Sequence, residues 1–198
     1  KANIEYSIIP DRIEAGTFLI AGAITSGNVK VINVIPDHLK ILIDKLIKAG
    51  FHLDISKDTI QIQTKREPFQ PVDMVTATYH GFPTDLQAQW MALMTKANGS
   101  SAITDAIYPD RFTHISELSR FGAHIQLSGN KAQIQGRDIL RGAPVMSTDI
   151  RASASLILAA LSAEGKSTIS RIYHIDRGYE DIENKFISLR ADIIRTQE

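Results

Sequence analysis

Apolar positions fall into a small number of pattern types, and the same types recur in the same order along the chain. The first type is apolar nearly all round and covers residues 18–24, 90–94 and 154–161. A helix without a polar face must be covered on most sides, so these stretches predict three helices buried against one another. Gly22, Ala23, Ala92, Ala159 and Ala160 are small enough to let such helices approach closely. Short β-rich runs follow at 29–34, 101–107 and 167–173, each predicting a strand. One-sided helices come next. Leu39, Leu42, Ile43 and Leu46 stand at i, i+3, i+4 and i+7, with Ile115 and Leu118, then Ile182, Phe186 and Leu189, in the equivalent places. Gly50 and Gly122 sit where a helix end asks for positive φ, and Arg190 stands there in the third unit, where it is expected to strain the cap or force another termination.

Alternating hairpins close the first two units. Residues 53–55 are expected to pair with 60–63 across Ser56-Lys57-Asp58, and 125–127 with 132–135 across Ser128-Gly129-Asn130. The third unit runs through Ile193-Ile194 and stops short of a second strand, leaving an edge that a segment outside this sequence is expected to fill. Turn motifs keep the same order. Pro10-Asp11-Arg12, Thr84-Asp85-Leu86 and Thr148-Asp149-Ile150 open the units, their aspartates 74 and 64 residues apart. Pro36-Asp37-His38, Pro109-Asp110-Arg111 and Ile175-Asp176-Arg177 follow, with spacings of 73 and 66. Four features recurring in one order define an internal threefold repeat, roughly 8–66, 72–136 and 144–198. The expected architecture is an α/β domain spanning 1–198, with the apolar helices inside and three sheets outside.

Composition narrows the function classes. The 198 residues are 43% hydrophobic, enough for one buried core. Twenty-two basic side chains balance 22 acidic ones, so no basic field exists to bind nucleic acid by counterion release. Cysteine is absent, which removes disulfides, thiolate metal sites and a cysteine nucleophile from this chain. The longest nearly apolar run, 17–24, is far too short to span a bilayer, and no leader-like segment opens the chain. Lys1 at the start and Gln197-Glu198 at the end suggest a piece of a longer protein.

Candidate chemistry lies at the unit starts. Asp11, Asp85 and Asp149 each stand where a carboxylate caps a helix, and their recurrence favours capping. Asp85 also follows a proline-anchored turn, Gly81-Phe82-Pro83-Thr84, that could deliver a general base to a helix mouth. Arg111, Arg151 and Arg177 could converge as an anion pocket or could pair locally with the aspartates beside them. His38, His114 and His174 lack the spacing of a metal ligand set, and no metal is expected. Neither Gly-x-Gly-x-x-Gly nor a Walker loop occurs.

Four stretches carry a family resemblance: Ile9-Pro10-Asp11-Arg12-Ile13-Glu14, Phe82-Pro83-Thr84-Asp85-Leu86-Gln87-Ala88-Gln89, Ala143-Pro144-Val145-Met146-Ser147-Thr148-Asp149-Ile150-Arg151-Ala152-Ser153-Ala154, and Arg171-Ile172-Tyr173-His174-Ile175-Asp176-Arg177-Gly178-Tyr179-Glu180. They resemble the C-terminal half of the UDP-N-acetylglucosamine 1-carboxyvinyltransferases. The resemblance implies an inside-out α/β fold of three βαβαββ units. It implies transfer of enolpyruvyl from phosphoenolpyruvate to the 3-hydroxyl of UDP-N-acetylglucosamine, the first committed step of peptidoglycan synthesis, in the cytoplasm and without a cofactor. Asp85 matches the family's general base, Ile107 a backbone contact to the UDP-sugar, and Arg177 a holder of the phosphoenolpyruvate anion. Arg12, Arg111, Asp149 and Arg151 match positions lining the same cleft. The family's general acid and further substrate contacts belong to an N-terminal half that would be this chain's partner, so the isolated piece is expected to be inactive and weakly self-associating. A shikimate-pathway enolpyruvyl transferase and a catalytically silent binding domain are the alternatives.

Overall fold

The computed structural model describes residues 4–65 and 67–196, so the two chain ends and the last residue expected in the first repeat lie outside the described residues. The three apolar stretches are helices α1 (Arg12–Ile24), α3 (Gln87–Met94) and α5 (Ile150–Ser162), and they pack against one another. Nearly every residue of α1 from Ile13 onward is buried, as is all of α3. Gly22 has a different role from the expected helix contact. A Cβ there would come within 2.7 Å of Ile62 and 3.1 Å of Val29, so this glycine lets α1 lie close on a sheet.

Around the helices stand three sheets. The first has order β1-β3-β2, from β1 (Val29–Ile32), β2 (His52–Ile55) and β3 (Thr59–Gln63). The second has order β4-β5-β7-β6, from β4 (Met74–Val75), β5 (Ser100–Thr104), β6 (His124–Ser128) and β7 (Lys131–Gln135). The third joins β8 (Pro144–Met146) to β9 (Thr168–Ser170) in parallel. Both expected hairpins are present, in the registers Ile55↔Ile60 and Leu127↔Ala132. Alternation along β3 and β7 turns Ile60, Ile62, Ala132 and Ile134 inward. Short leading strands open the second and third units, where β4 pairs in parallel with β5 and β8 with β9. No helix among the described residues is long and apolar enough to cross a membrane.

Where the strands end differs from the hydrophobic pattern, for local reasons. β1 stops at Ile32 because Asn33 turns left-handed (φ 56°), and β9 stops at Ser170 because Arg171 does so (φ 57°). β5 ends at Thr104, where the carboxylate of Asp105 gathers the next amides into a turn. Residues 193–194 form no strand. Arg195 instead ties this tail down, with a bidentate pair to Asp176 (3.0 and 2.7 Å) and a further pair to Glu183 (2.6 Å).

The one-sided helices α2 (Lys40–Ala49), α4 (His114–Arg120) and α6 (Ile182–Ser188) end in one shared motif. Gly50 and Gly122 are left-handed, at φ 103° and 89°. The N–H groups at and after them return to the last turn, as in Phe51 N to Leu46 O at 3.0 Å. Arg190 makes the same return, Ala191 N to Phe186 O at 3.0 Å, but at φ 69° with a Cβ. Arg190→Gly should therefore stabilise the protein by about 0.5–1 kcal/mol, seen as a rise of a few degrees in thermal midpoint. An unchanged or lower midpoint contradicts the strain.

Candidate active site

Three aspartates occupy equivalent places in the three units, and their carboxylates do not do the same thing. Asp11 caps α1, accepting from Ile13 N at 2.7 Å and Glu14 N at 3.3 Å. Asp149 caps α5, accepting from Arg151 N at 2.8 Å and Ala152 N at 2.9 Å, and also from the Thr113 hydroxyl. Asp85 caps nothing. It lies in a 3-10 turn, Thr84–Leu86, ahead of α3, and no side chain caps that turn. Its Oδ1 accepts instead from Arg111 Nη1 at 3.0 Å and Arg151 Nε at 3.1 Å.

The two arginines arrive from different units. Arg111 comes from the loop between β5 and α4, and its guanidinium also lies over the Tyr108 ring, 5.0 Å from the centroid. Arg151 stands in the first turn of α5, the positive end of the helix, where a cation is disfavoured unless an anion offsets it. Asp85 supplies that anion. The expected alternative of local pairs with Asp110 and Asp149 is not what these two arginines form. Burial by itself would raise the Asp85 pKa, but Arg151 and then Arg111 outweigh it through charge and hydrogen bonds. The carboxyl is held below the ordinary aspartate range. With 40% of the Asp85 side chain exposed, the pairs add little stability.

Behind Arg151 lies a polar cluster inside the apolar helix bundle. The Tyr179 hydroxyl is 2.7 Å from Thr17 Oγ1, and Gln89 Nε2 donates to both oxygens at 3.2 Å. Burial raises the Tyr179 pKa, opposed by its bonds to Thr17 and Gln89 and by the nearby Arg151 charge. Gly178 passes close to the same arginine, since a Cβ there would meet Ile150 at 2.7 Å and Arg151 Nη1 at 3.6 Å. Arg151 thus stands near Tyr179 and Gly178 and pairs with Asp85.

The remaining expected residues form no hydrogen bond or ion pair with Asp85 among the described residues and make other contacts. Arg177 ends the 3-10 segment Ile172–Arg177 beside Gly178, is exposed, and makes no ion pair among the described residues. Its neighbour Asp176 is occupied by Arg195. Arg12 lies over the Tyr79 ring at 4.7 Å, in the turn that leads to Asp85. Ile107 is exposed on the Arg111 loop, and its N–H is taken by Asp105 Oδ1 (3.1 Å) and Thr76 Oγ1 (3.3 Å). Of the histidines, His38 edges toward Tyr79, His174 leans on Tyr173 and His114 is buried against Phe112. Among the described residues no three His, Asp or Glu side chains gather as a metal site.

A model of the EPSP synthase (3-phosphoshikimate 1-carboxyvinyltransferase) family matches residues 1–186. The chain belongs to this family. Family relatives named UDP-N-acetylglucosamine 1-carboxyvinyltransferase include one from Campylobacter lari, 53% identical over 98% of this chain and 46% of its own length. Another, from Geobacter metallireducens, is 50% identical over 100% of this chain and 47% of its own length. The chain spans under half the length of these curated relatives. Among solved structures, the enolpyruvyl transferase NikO from Streptomyces tendae superposes at a TM-score of 0.86, with 28% identity over 94% of this chain and 44% of that one. EPSP synthase from Acinetobacter baumannii, at TM-score 0.71 and 15% identity over 97% of this chain and 44% of that one, shares the fold. The inside-out α/β fold implied by the resemblance is therefore the fold of this family.

His114 gives the protein's stability a pH signature. Burial, with Arg111 adding to it and Asp149 and Asp105 opposing, pushes the imidazole down to about 4. An unfolded chain protonates it near 6.5, so between those values the unfolded state binds more protons. Stability is complete above about pH 6.5 and should fall as pH drops toward 4. His114→Gln should flatten that part of the profile, measured as urea midpoints at pH 7.5 and 5. An equal loss in both proteins would contradict it.

Proposed function

We propose that this chain, a single domain of three repeats, is the C-terminal part of an enolpyruvyl transferase that works on UDP-N-acetylglucosamine and phosphoenolpyruvate. The observation that carries the reading is the diversion of Asp85, alone of three equivalent aspartates, from helix capping to two arginines. The names of relatives at 50–53% identity support the choice of sugar nucleotide over shikimate 3-phosphate. A silent binding domain has no need to place a cation at the positive end of α5.

In the proposed reaction Asp85 removes the proton of the sugar 3-hydroxyl as that oxygen attacks C2 of phosphoenolpyruvate. A secondary alcohol is too weak an acid to ionise beforehand, so the base must act during attack. C3 is protonated from the N-terminal half, and the tetrahedral adduct then loses phosphate as C3 returns a proton. Arg111, Arg151 and Arg177 hold the anionic groups against their mutual repulsion. Arg177, which makes no ion pair among the described residues, is the binder of the phosphoenolpyruvate anion. Arg12 and Asp149 line the same cleft. Because the Ile107 N–H is engaged internally, its contact to the UDP-sugar runs through the carbonyl. Anions that draw Arg111 and Arg151 away also release the base they hold, so binding of substrate raises the basicity of Asp85.

The pathway placement follows from this reaction: peptidoglycan precursor synthesis in the cytoplasm, supporting cell-wall growth and division. The test is phosphate release by the full-length protein given both substrates. Asp85→Ala should lower kcat by about 10²–10⁴, and this chain without its other half should release none. Full turnover by the variant would leave the silent-domain reading standing.

A further inference from the structure

Outside the Asp85 pair, the best-connected carboxylate among the described residues is Asp105, and the hydrophobic pattern treats it as strand interior. It is wholly buried, at 0% exposure. Its Oδ1 accepts from Thr76 Oγ1 at 2.7 Å, Ile107 N at 3.1 Å and Tyr108 N at 2.8 Å, and its Oδ2 from Thr84 Oγ1 at 2.7 Å. Each partner is a neutral donor. A buried charge without a cation is costly unless its lone pairs are filled, and here four donors fill them. Its own backbone is fixed at both groups by Asn130 at the hairpin tip: Asp105 N donates to Asn130 O at 3.0 Å and Asn130 Nδ2 to Asp105 O at 3.1 Å.

The four donors belong to both sides of the site. Thr84 precedes the base, and its hydroxyl accepts from Arg111 Nη1 (3.3 Å), the same nitrogen that donates to Asp85. Ile107 and Tyr108 form the turn that carries Arg111 and presents the exposed Ile107. Thr76 ties the end of β4 to the same turn through Ala106 N at 2.9 Å. We propose that Asp105 is a positioning residue that locks the base-bearing turn and the 106–108 sugar-nucleotide turn into one register, through its two carboxylate oxygens. Its effect on rate rests on the enolpyruvyl-transfer reading above. Its effect on the turn does not.

The two oxygens can be separated by substitution. Asp105→Asn keeps Oδ1 as acceptor for both amides and puts an NH2 group against the Thr84 hydroxyl, which loses its acceptor and swings. Thr84→Val removes the same link from the other end, and Thr84→Ser retains it. In the full-length protein, Asp105→Asn and Thr84→Val should each lower kcat about tenfold or more, with KM for the UDP-sugar within about twofold. Thr84→Ser should restore kcat, and the double variant should be no slower than the worse single one, because both break one link. Independently of activity, hydrogen exchange should show the Ile107 and Tyr108 amides protected in wild type and in Asp105→Asn, but exposed in Asp105→Ala.

A wild type that turns over while Asp105→Asn and Thr84→Val keep full kcat overturns the coupling. So does a double variant whose loss is the product of the single losses. If Asp105→Asn does not fold, Thr84→Val against Thr84→Ser decides alone. A wild type inert toward both substrates, with the exchange pattern as stated, would refute the reaction and leave Asp105 as the lock of the turn. Unchanged protection in Asp105→Ala would refute the lock itself.

Discussion

A carboxylate at a helix start has a nearby use for its charge: the unsatisfied N–H groups of the first turn. Asp11 and Asp149 follow that rule, and the thirteen-residue helices after them are buried from Ile13 onward except Glu14 in the first and over Ala152–Ala159 in the second. Asp85 is withheld from it. The segment before α3 tightens into a 3-10 turn, which aims the side chain away from the helix and toward Arg111 and Arg151. A threefold repeat makes this visible, because the other two units show what the same position does when packing alone decides. Two cations from separate units converging on one half-exposed anion add little to stability. The arrangement is explained by what it can do to a proton and to an incoming anion.

The scaffold supports this geometry from both sides. Below Arg151, Tyr179, Thr17 and Gln89 join three segments through one hydrogen-bonded cluster in an otherwise apolar interior. Above it, Asp105 binds the base turn and the arginine loop to the tip of a hairpin. Buried polar groups joined by hydrogen bonds hold their neighbours in place, although Gln89 Oε1 in the first cluster has no partner among the described residues, and both clusters sit directly behind site residues.

Much of this was legible in the order of residues. The apolar stretches, the amphipathic helices, the glycine ends and both hairpins follow from periodicity and turn residues, and Asp85, Arg111 and Arg151 follow from their places at or just beyond element starts. Which aspartate departs from capping was not legible, since all three share one local pattern. Asp105, Thr76 and Tyr179 were missed because their partners lie 29 to 162 residues away for Thr76–Asp105 and Thr17–Tyr179, and no local spacing marks such a contact. Strand ends at Asn33 and Arg171 were missed because a left-handed turn at those residue types has no hydrophobic signature. The tail at 191–196 reads as a strand by its isoleucines, but Arg195 finds two carboxylates instead.

The account turns on Asp85 being restrained by guanidiniums until anions claim them. The direct measurement is an NMR titration of the Asp85 carboxyl in the full-length protein, labelled with 13C-aspartate and assigned by Asp85→Asn. The account predicts a midpoint below the ordinary aspartate value near 3.9 in the free protein, moving upward when phosphoenolpyruvate and the UDP-sugar are bound. An ordinary midpoint in the free protein, or one that stays put when both ligands are bound, would contradict it.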